Sequence, residues 1–380
     1  IVTQAICCCM RYKIAFLTGS RSDFGLIQSI IMESVDDDRF DSVLIRVGHS
    51  LADNYDYCED FKNLETHIVD TKEGVSNIRN ELEVPLSLSG IIKKSGELLN
   101  AIKPDIVFAP GDRFEMFGIV ISAYYQRIPI AHIFGGDRST GGHLDDNVRH
   151  AITKISSLHF TVCEDSKERV LKLGEQDNRV FNYGSPVVDN LKNISSQRPT
   201  SDKYVILTYH TVTGFPERSY QDTLELLKAV ASMGMLVFVT STNNEYGSLD
   251  IIRAIRESTK KYDNILFVGN LGWKKYLNYL KFAEYSIGNS SSNLLEAPIV
   301  GTPSINVGDR QQGRYSPDSV TNVDCNYGLI IGAIRKTLSD KERSLINNHP
   351  YGSGHVGIKV LDSIEHWLSR GDILLKKMPY

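Results

Sequence analysis

Residues 13–25 read Lys13-Ile14-Ala15-Phe16-Leu17-Thr18-Gly19-Ser20-Arg21-Ser22-Asp23-Phe24-Gly25. A short apolar run ends on a threonine, a glycine and polar turn residues, and apolar side chains then return at helical spacing as far as Val35. That order is strand, turn, helix, the opening of a βαβ unit. The same grammar recurs downstream. Further strands are expected at residues 42–47, 105–109, 129–134, 158–162 and 179–183, with helices at 24–35, 88–101, 114–126, 145–156 and 165–173. Strands that alternate with helices form a parallel sheet with helices over its faces.

A polar, turn-rich stretch at 193–202, with Ser195, Ser196, Pro199 and Ser201, interrupts the pattern. It then restarts, with strands expected at 204–209, 236–240, 265–268, 285–288 and 303–307 and helices near 220–232, 248–259, 274–282 and 292–300. The expected organisation is two doubly wound, Rossmann-like α/β domains, 11–192 and 193–352. A leader at 1–10 lies outside the fold, and a helical segment at 353–380 returns to the first domain. Two such lobes leave a cleft at the carboxyl ends of their strands, where ligands bind.

The chain has 380 residues, 41% apolar and 23% charged, an ordinary globular composition. A formal charge of -4 and a pI near 6.2 give no basic excess for a nucleic-acid polymer, so any phosphate is expected on a small ligand. No apolar run nears the roughly 18 residues of a membrane span, and no secretory signal pattern is present, so a cytoplasmic protein is expected. Cys7, Cys8 and Cys9 fall in the leader; Cys58, Cys163 and Cys325 are scattered and read as reduced thiols.

Chemistry-bearing motifs sit at the expected strand ends. Gly19 and the hydroxyl residues around Arg21 offer anion donors at a helix start, although taken alone a plain turn and cap is the better explanation. Gly111-Asp112-Arg113 reads either as a helix cap or as a carboxylate placed in a cleft. His132 to His150 crowds Asp137, Arg138, His143, Asp145, Asp146 and Arg149 around a Gly135-Gly136 turn, more charge than packing explains. Their spacing matches no metal motif, and none is expected. In the second half, His210 closes a strand with an imidazole able to donate to phosphate or move a proton. Gly288-Asn289-Ser290-Ser291-Ser292 leads to Glu296, and Arg310 and Arg314 follow the next strand, together the strongest diphosphate cradle in the chain.

From residue 13 to 355 the sequence resembles the hydrolysing UDP-N-acetylglucosamine 2-epimerases of sialic-acid biosynthesis. The resemblance rests on Gly111-Asp112-Arg113-Phe114, Val148-Arg149-His150-Ala151-Ile152-Thr153-Lys154, Gly288-Asn289-Ser290-Ser291 and Gly301-Thr302-Pro303. It implies a GT-B-like fold, no cofactor, a homo-oligomer (dimer or tetramer) and a UDP-sugar substrate. The implied reaction eliminates UDP to a 2-acetamidoglycal and hydrates it with the opposite configuration at C2, giving ManNAc and UDP. Non-hydrolysing relatives carry a His-Arg-Arg-Glu-Asn element where this chain has His210-Thr211-Val212-Thr213. By resemblance, Asp112 and Asp145 match acid/base carboxylates, and His210 matches the histidine near the diphosphate. Arg21, Ser290, Ser291, Glu296 and Arg310 match nucleotide-binding positions, and His49 matches a cleft-facing histidine. Arg113 and Arg314 join the expected substrate-binding set.

One departure bears on the substrate. Where the resembled sequences read His-Ile-Glu-Gly-Gly-Glu, this chain has His132-Ile133-Phe134-Gly135-Gly136-Asp137. Either Asp112, Asp137 or Asp145 covers the missing carboxylate, or the sugar differs. Phe134 suits a sugar less polar at C4 and C6, such as nucleotide-linked 2,4-diacetamido-2,4,6-trideoxyglucose of the legionaminic-acid route. A GT-B glycosyltransferase and an inactive nucleotide-sugar sensor are the rival classes.

Overall fold

The computed structural model describes residues 11–19, 21–47, 64–70, 82–139, 145–212, 214–243, 246–339 and 349–377, with backbone alone at 21 and 22. In the first lobe, strands β1 (Tyr12–Thr18), β2 (Phe40–Val47), β3 (Glu65–Val69), β4 (Ile106–Pro110), β5 (Ile130–Ile133), β6 (Leu158–Thr161) and β7 (Val180–Asn182) form one sheet. Helices α1 (Arg21–Val35), α2 (Glu83–Ile102), α3 (Phe114–Tyr125), α4 (Asp145–Ile155), α5 (Glu164–Lys172) and the short α6 (Val187–Asn190) accompany it.

The second lobe builds another sheet from β8 (Tyr204–Thr208), β9 (Leu236–Thr240), β10 (Ile265–Gly269), β11 (Ser286–Gly288), β12 (Ser304–Val307) and β13 (Val320–Val323). Its helices are α7 (Ser219–Ala231), α8 (Ser248–Lys261), α9 (Gly272–Phe282), α10 (Glu296–Val300) and α11 (Tyr327–Ser339), and α12 (Val356–Arg370) follows. Among the described residues no helix is long and apolar enough to cross a membrane.

Among the described residues all strand pairs are parallel, in the orders β3-β2-β1-β4-β5-β6-β7 and β10-β9-β8-β11-β12-β13. In each sheet the order reverses once, between β1 and β4 and between β8 and β11. At such a switch the two following loops part and open a crevice. Side chains alternate across β1 as a strand requires: Ile14 and Phe16 join the layer under α1 and α12, while Ala15 and Leu17 join the layer under α2 and α3. The first layer continues into Tyr204, Ile206 and Leu277 of the second lobe, so one apolar core spans both. Gly288 closes β11 at φ 137°, where an added Cβ would lie 1.9 Å from the Thr208 carbonyl oxygen. That approach brings the two second-lobe switch loops together.

Helix α12 lies on α1 and α6 of the first lobe. Its first N–H groups, at Val356 and Gly357, donate to Asp189 Oδ2 at 2.8 and 3.0 Å. Beyond it, the guanidinium of Arg179 stacks 4.2 Å from the Trp367 ring and donates to the carbonyls of Ser157 and Ile373.

Several elements differ from the sequence reading. Edge strands β3 and β13 and helix α11 were not anticipated, and α2 begins five residues before the expected 88 because Pro85 is tolerated in a first helical turn. The helix expected at 292–300 is a 3-10 turn at Ser291–Asn293 followed by α10, which starts at Glu296. Residues 1–10 lie outside the described residues.

Candidate active site

The loops at the two switch points face one another across a cavity of about 520 Å³. Asp112, Asp137, Asp145 and His210 line it, as do Arg113, Ser290, Ser291, Glu296, Arg310 and Arg314. The Arg21 side chain and His49 lie outside the described residues.

In the first lobe, Asp112 follows β4 and receives Nη2 of Arg149 from α4. Arg149 is almost wholly buried, and its Nη1 reaches Asp146 Oδ1 one turn back and the Asp137 carbonyl at 2.8 Å. Asp146 in turn accepts from the Ser139 N–H at 2.8 Å. Burial, with Arg314 and Arg169 nearby, works against the charge on Arg149, and the two carboxylates offset this. The carboxylate of Asp112 is thereby aimed by a buried fork of donors. Arg113 is oriented by the fully buried Glu115, which accepts from its Nη2 at 3.0 Å.

His132 lies behind this group and is structural. Its Nε2 donates to the Gly111 carbonyl at 2.8 Å, its Nδ1 faces Thr153 Oγ1 at 3.1 Å, and burial pushes its pKa down to about 3. The neutral ring ties β5 to the loop that carries Asp112. Phe134 lies in the cavity wall, 6% exposed and in left-handed backbone at φ 67°. That conformation costs a bulky residue about 1–3 kcal/mol and is held by the Phe134 N–H bond to the Phe160 carbonyl and by packing.

In the second lobe, Asn289 joins the switch loops. Its Oδ1 accepts from the His210 N–H and its Nδ2 donates to the His210 carbonyl, both at 2.7 Å. The His210 ring is buried and lies near Arg310 and Arg113, and these together drive its pKa well below the usual range. The Asn243 N–H donates to Nδ1 at 3.0 Å, so the proton of the neutral ring sits on Nε2. Such a ring is a hydrogen-bond donor through Nε2, suited to a phosphate oxygen. Arg310 is anchored by its Nε–H bond to the Thr211 carbonyl at 3.1 Å. Ser290 caps the 3-10 turn by accepting from the Ser292 N–H at 3.3 Å, and Ser292 Oγ meets the Tyr276 hydroxyl at 2.6 Å.

Glu296 opens α10 against the cavity, and burial pushes its pKa up to about 7. An unfolded glutamate titrates near about 4.3. The folded state therefore keeps a proton that the unfolded state has lost, and ligand-free stability falls as pH rises from about 4.3 to about 7. Glu296→Gln is expected to remove that decline. Urea midpoints for the two proteins should coincide near pH 4 and separate in favour of the variant at pH 8.

Sequence reasoning places Arg149, Asp146 and Asn289 within the site motifs without giving them individual roles, and it leaves out Tyr276. Asp146 and Arg149 stood three residues apart in the ionisable cluster, a helical ion-pair spacing that signalled them. Nothing local marked Asn289 as a bridge to a strand end 79 residues away.

Two doubly wound parallel-sheet domains opposed across a ligand cavity define a GT-B-like α/β protein. The chain belongs to the UDP-N-acetylglucosamine 2-epimerase family, whose model matches residues 33–365. Among characterised proteins it is 30% identical to the GDP/UDP-N,N'-diacetylbacillosamine 2-epimerase (hydrolyzing) of Campylobacter jejuni, over 83% of this chain and 85% of that one. It is 27% identical to the UDP-N,N'-diacetylbacillosamine 2-epimerase (hydrolyzing) of Legionella pneumophila, over 90% and 92%. The crystal structure of UDP-GlcNAc 2-epimerase from Neisseria meningitidis bound to UDP-GlcNAc shares the fold, with a TM-score of 0.77 at 16% identity over 94% of this chain and 100% of that one.

Proposed function

We propose that the protein is a hydrolysing UDP-sugar 2-epimerase of nonulosonate biosynthesis, with residues 11–192 moving protons and 193–352 gripping the nucleotide. The observation that carries this is the lining of one cavity, with Asp112, Asp137 and Asp145 on the first-lobe face and His210, Ser290, Ser291 and Arg310 on the second. Base removal of the C2 proton, with the C1–O bond breaking toward diphosphate, gives a 2-acetamidoglycal and UDP. Water then adds at C1 while C2 is protonated on the opposite face, releasing the free 2-epimer. Asp112 and Asp145 are the proposed acid/base pair. His210, Ser290, Ser291 and Arg310 hold the diphosphate, whose developing charge is where fixed donors are most effective. Glu296 accepts from the ribose hydroxyls. A nucleotide-sugar substrate supports a cytoplasmic location, and the family resemblance carries the expectation of a homodimer or tetramer.

For the sugar, membership of the family supports UDP-GlcNAc, and ManNAc is the product that hydrolytic 2-epimerisation would release from it. The cavity wall favours a second reading. Phe134 stands beside Val162 and Cys163, an apolar surface that offers nothing to sugar hydroxyls and suits the methyl groups of a UDP-linked 2,4-diacetamido-2,4,6-trideoxyglucose. The names of the Campylobacter and Legionella relatives, both diacetylbacillosamine 2-epimerases, support that reading as well. Incubation with each substrate separately decides between them, by free UDP and the unlinked 2-epimer. Release of UDP from neither, with UDP still bound, would favour the sensor, and turnover that waits on an acceptor sugar would favour a glycosyltransferase.

The nucleotide grip has its own test. Ser291→Ala with Arg310→Ala removes hydrogen bonds to a charged group, each contributing about 1.5–3 kcal/mol. UDP affinity measured by calorimetry should fall by about two orders of magnitude or more. Unchanged affinity would remove these residues from the cradle.

A further inference from the structure

Asp137 stands among the residues expected to move protons, yet both of its carboxylate oxygens are engaged. Oδ1 accepts from Ser166 Oγ at 2.7 Å, and Oδ2 lies 3.6 Å from Nε of Arg314. Arg314 belongs to the opposite lobe, on the loop after β12, and the two side chains are only 17% and 13% exposed. The pair is a contact between lobes made inside the cavity.

The first-lobe side of this contact is rigid. Gly136 holds φ 80° with its Cα pressed against α5, where an added Cβ would lie 2.1 Å from the Ser166 carbonyl oxygen. Arg169 Nε donates to the Gly136 carbonyl, and Arg149 Nη1 donates to the Asp137 carbonyl. A carboxylate fixed in this way cannot reach for a substrate proton without abandoning Ser166 and Arg314.

Electrostatics explains why such a tie is needed. Arg113, Arg149, Arg310 and Arg314 converge on one cavity, and Arg314 works against the charge on Arg149. Arg113 has Glu115, Arg149 has Asp112 and Asp146, and Arg310 has the Thr211 carbonyl. For Arg314 the opposing charge is Asp137. At 3.6 Å the contact is ionic rather than hydrogen-bonded, so it holds the cation in place without consuming its Nε–H.

We propose that Asp137 is a positioning residue that holds Arg314, from across the cleft, in the cavity as a cationic partner for the departing diphosphate, and that it takes no part in proton transfer. The proposal rests on the UDP-sugar reading of the cavity, and the experiment separates the two. UDP dissociation constants are measured for the full chain, Asp137→Asn, Arg314→Gln and the double variant, together with kcat, KM and the pH profile of Asp137→Asn. Each single variant is expected to bind UDP about tenfold more weakly, and the double variant no more weakly than Arg314→Gln, the signature of residues acting as one unit. Asp137→Asn should raise KM more than it lowers kcat and keep the pH profile.

A double variant that loses the product of both single effects overturns the proposal. So does Asp137→Asn with normal UDP affinity and no turnover, which is the behaviour of a proton-transfer group. If Asp137→Asn does not fold, Ser166→Ala frees the other oxygen and should raise KM in the same direction by less; an unchanged KM overturns the proposal. Failure of the unaltered protein to bind UDP overturns the reading of the cavity and the role of Asp137 with it.

Discussion

Asp112→Asn is expected to lower kcat by about 10²–10⁴-fold, the range for losing a positioned acid or base, while UDP affinity stays unchanged. The geometry makes this substitution informative. Asparagine keeps the shape of the side chain and still offers an oxygen to Arg149 Nη2, so the α4 contact survives in reduced form. What it cannot do is exchange a proton at C2. Titration of UDP into the variant checks that the second-lobe cradle is intact, and single-turnover release of UDP measures the chemistry. Ordinary turnover would take Asp112 out of the mechanism.

The second large effect is on stability. Arg149→Met leaves the carboxylates of Asp112 and Asp146 without the cation that they share. Removing one member of a buried ion group costs about 3–5 kcal/mol, a large part of the net stability of a typical domain. Chemical denaturation of the variant should show that loss, and turnover should fall with it because Asp112 is no longer aimed. A triple variant that adds Asp112→Asn and Asp146→Asn removes the uncompensated charges. It is expected to regain much of the stability and none of the activity, which separates the structural debt of the group from its chemistry.

The sequence reading succeeded where the signal was local. A run such as Ile14 to Leu17 closed by Thr18-Gly19 announces a strand and its turn, so the loops at both switch points were placed correctly. It failed at one edge of each sheet, while the opposite edges, β7 and β10, lie where strands are expected. Strand β3, Glu65-Thr66-His67-Ile68-Val69, is half exposed and half polar, and β13, Val320-Thr321-Asn322-Val323, is half polar, so neither presents the apolar run of a central strand. Helix α11 carries Gly328 and Gly332, which lower its helical signal, although Ile330, Ala333, Ile334 and Thr337 are buried at helical spacing.

The site divides in the same way. Ser290, Ser291 and Arg310 were legible from composition at a strand end. The pairing of Arg149 with Asp112, 37 residues away, was not, because only the fold brings α4 over the end of β4. The state of His210 was also beyond sequence, since it depends on a backbone N–H from Asn243 on the loop after β9. Phe134 is the reverse case. Its identity alone raised the question of the sugar, and its place in the cavity wall beside Val162 and Cys163 shows the surface that a sugar would meet.

Epimerisation by elimination and hydration releases the nucleotide and exchanges the hydrogen at C2 with solvent. Running the reaction in D₂O with UDP-GlcNAc and, separately, with the UDP-linked diacetamido-trideoxy sugar, and following both products by NMR, reads out both events. The predicted result, with at least one of the two, is free UDP and an unlinked sugar inverted at C2 that carries one solvent deuterium there. A C2-inverted sugar still attached to UDP, or a released sugar that keeps its original C2 hydrogen, would contradict it.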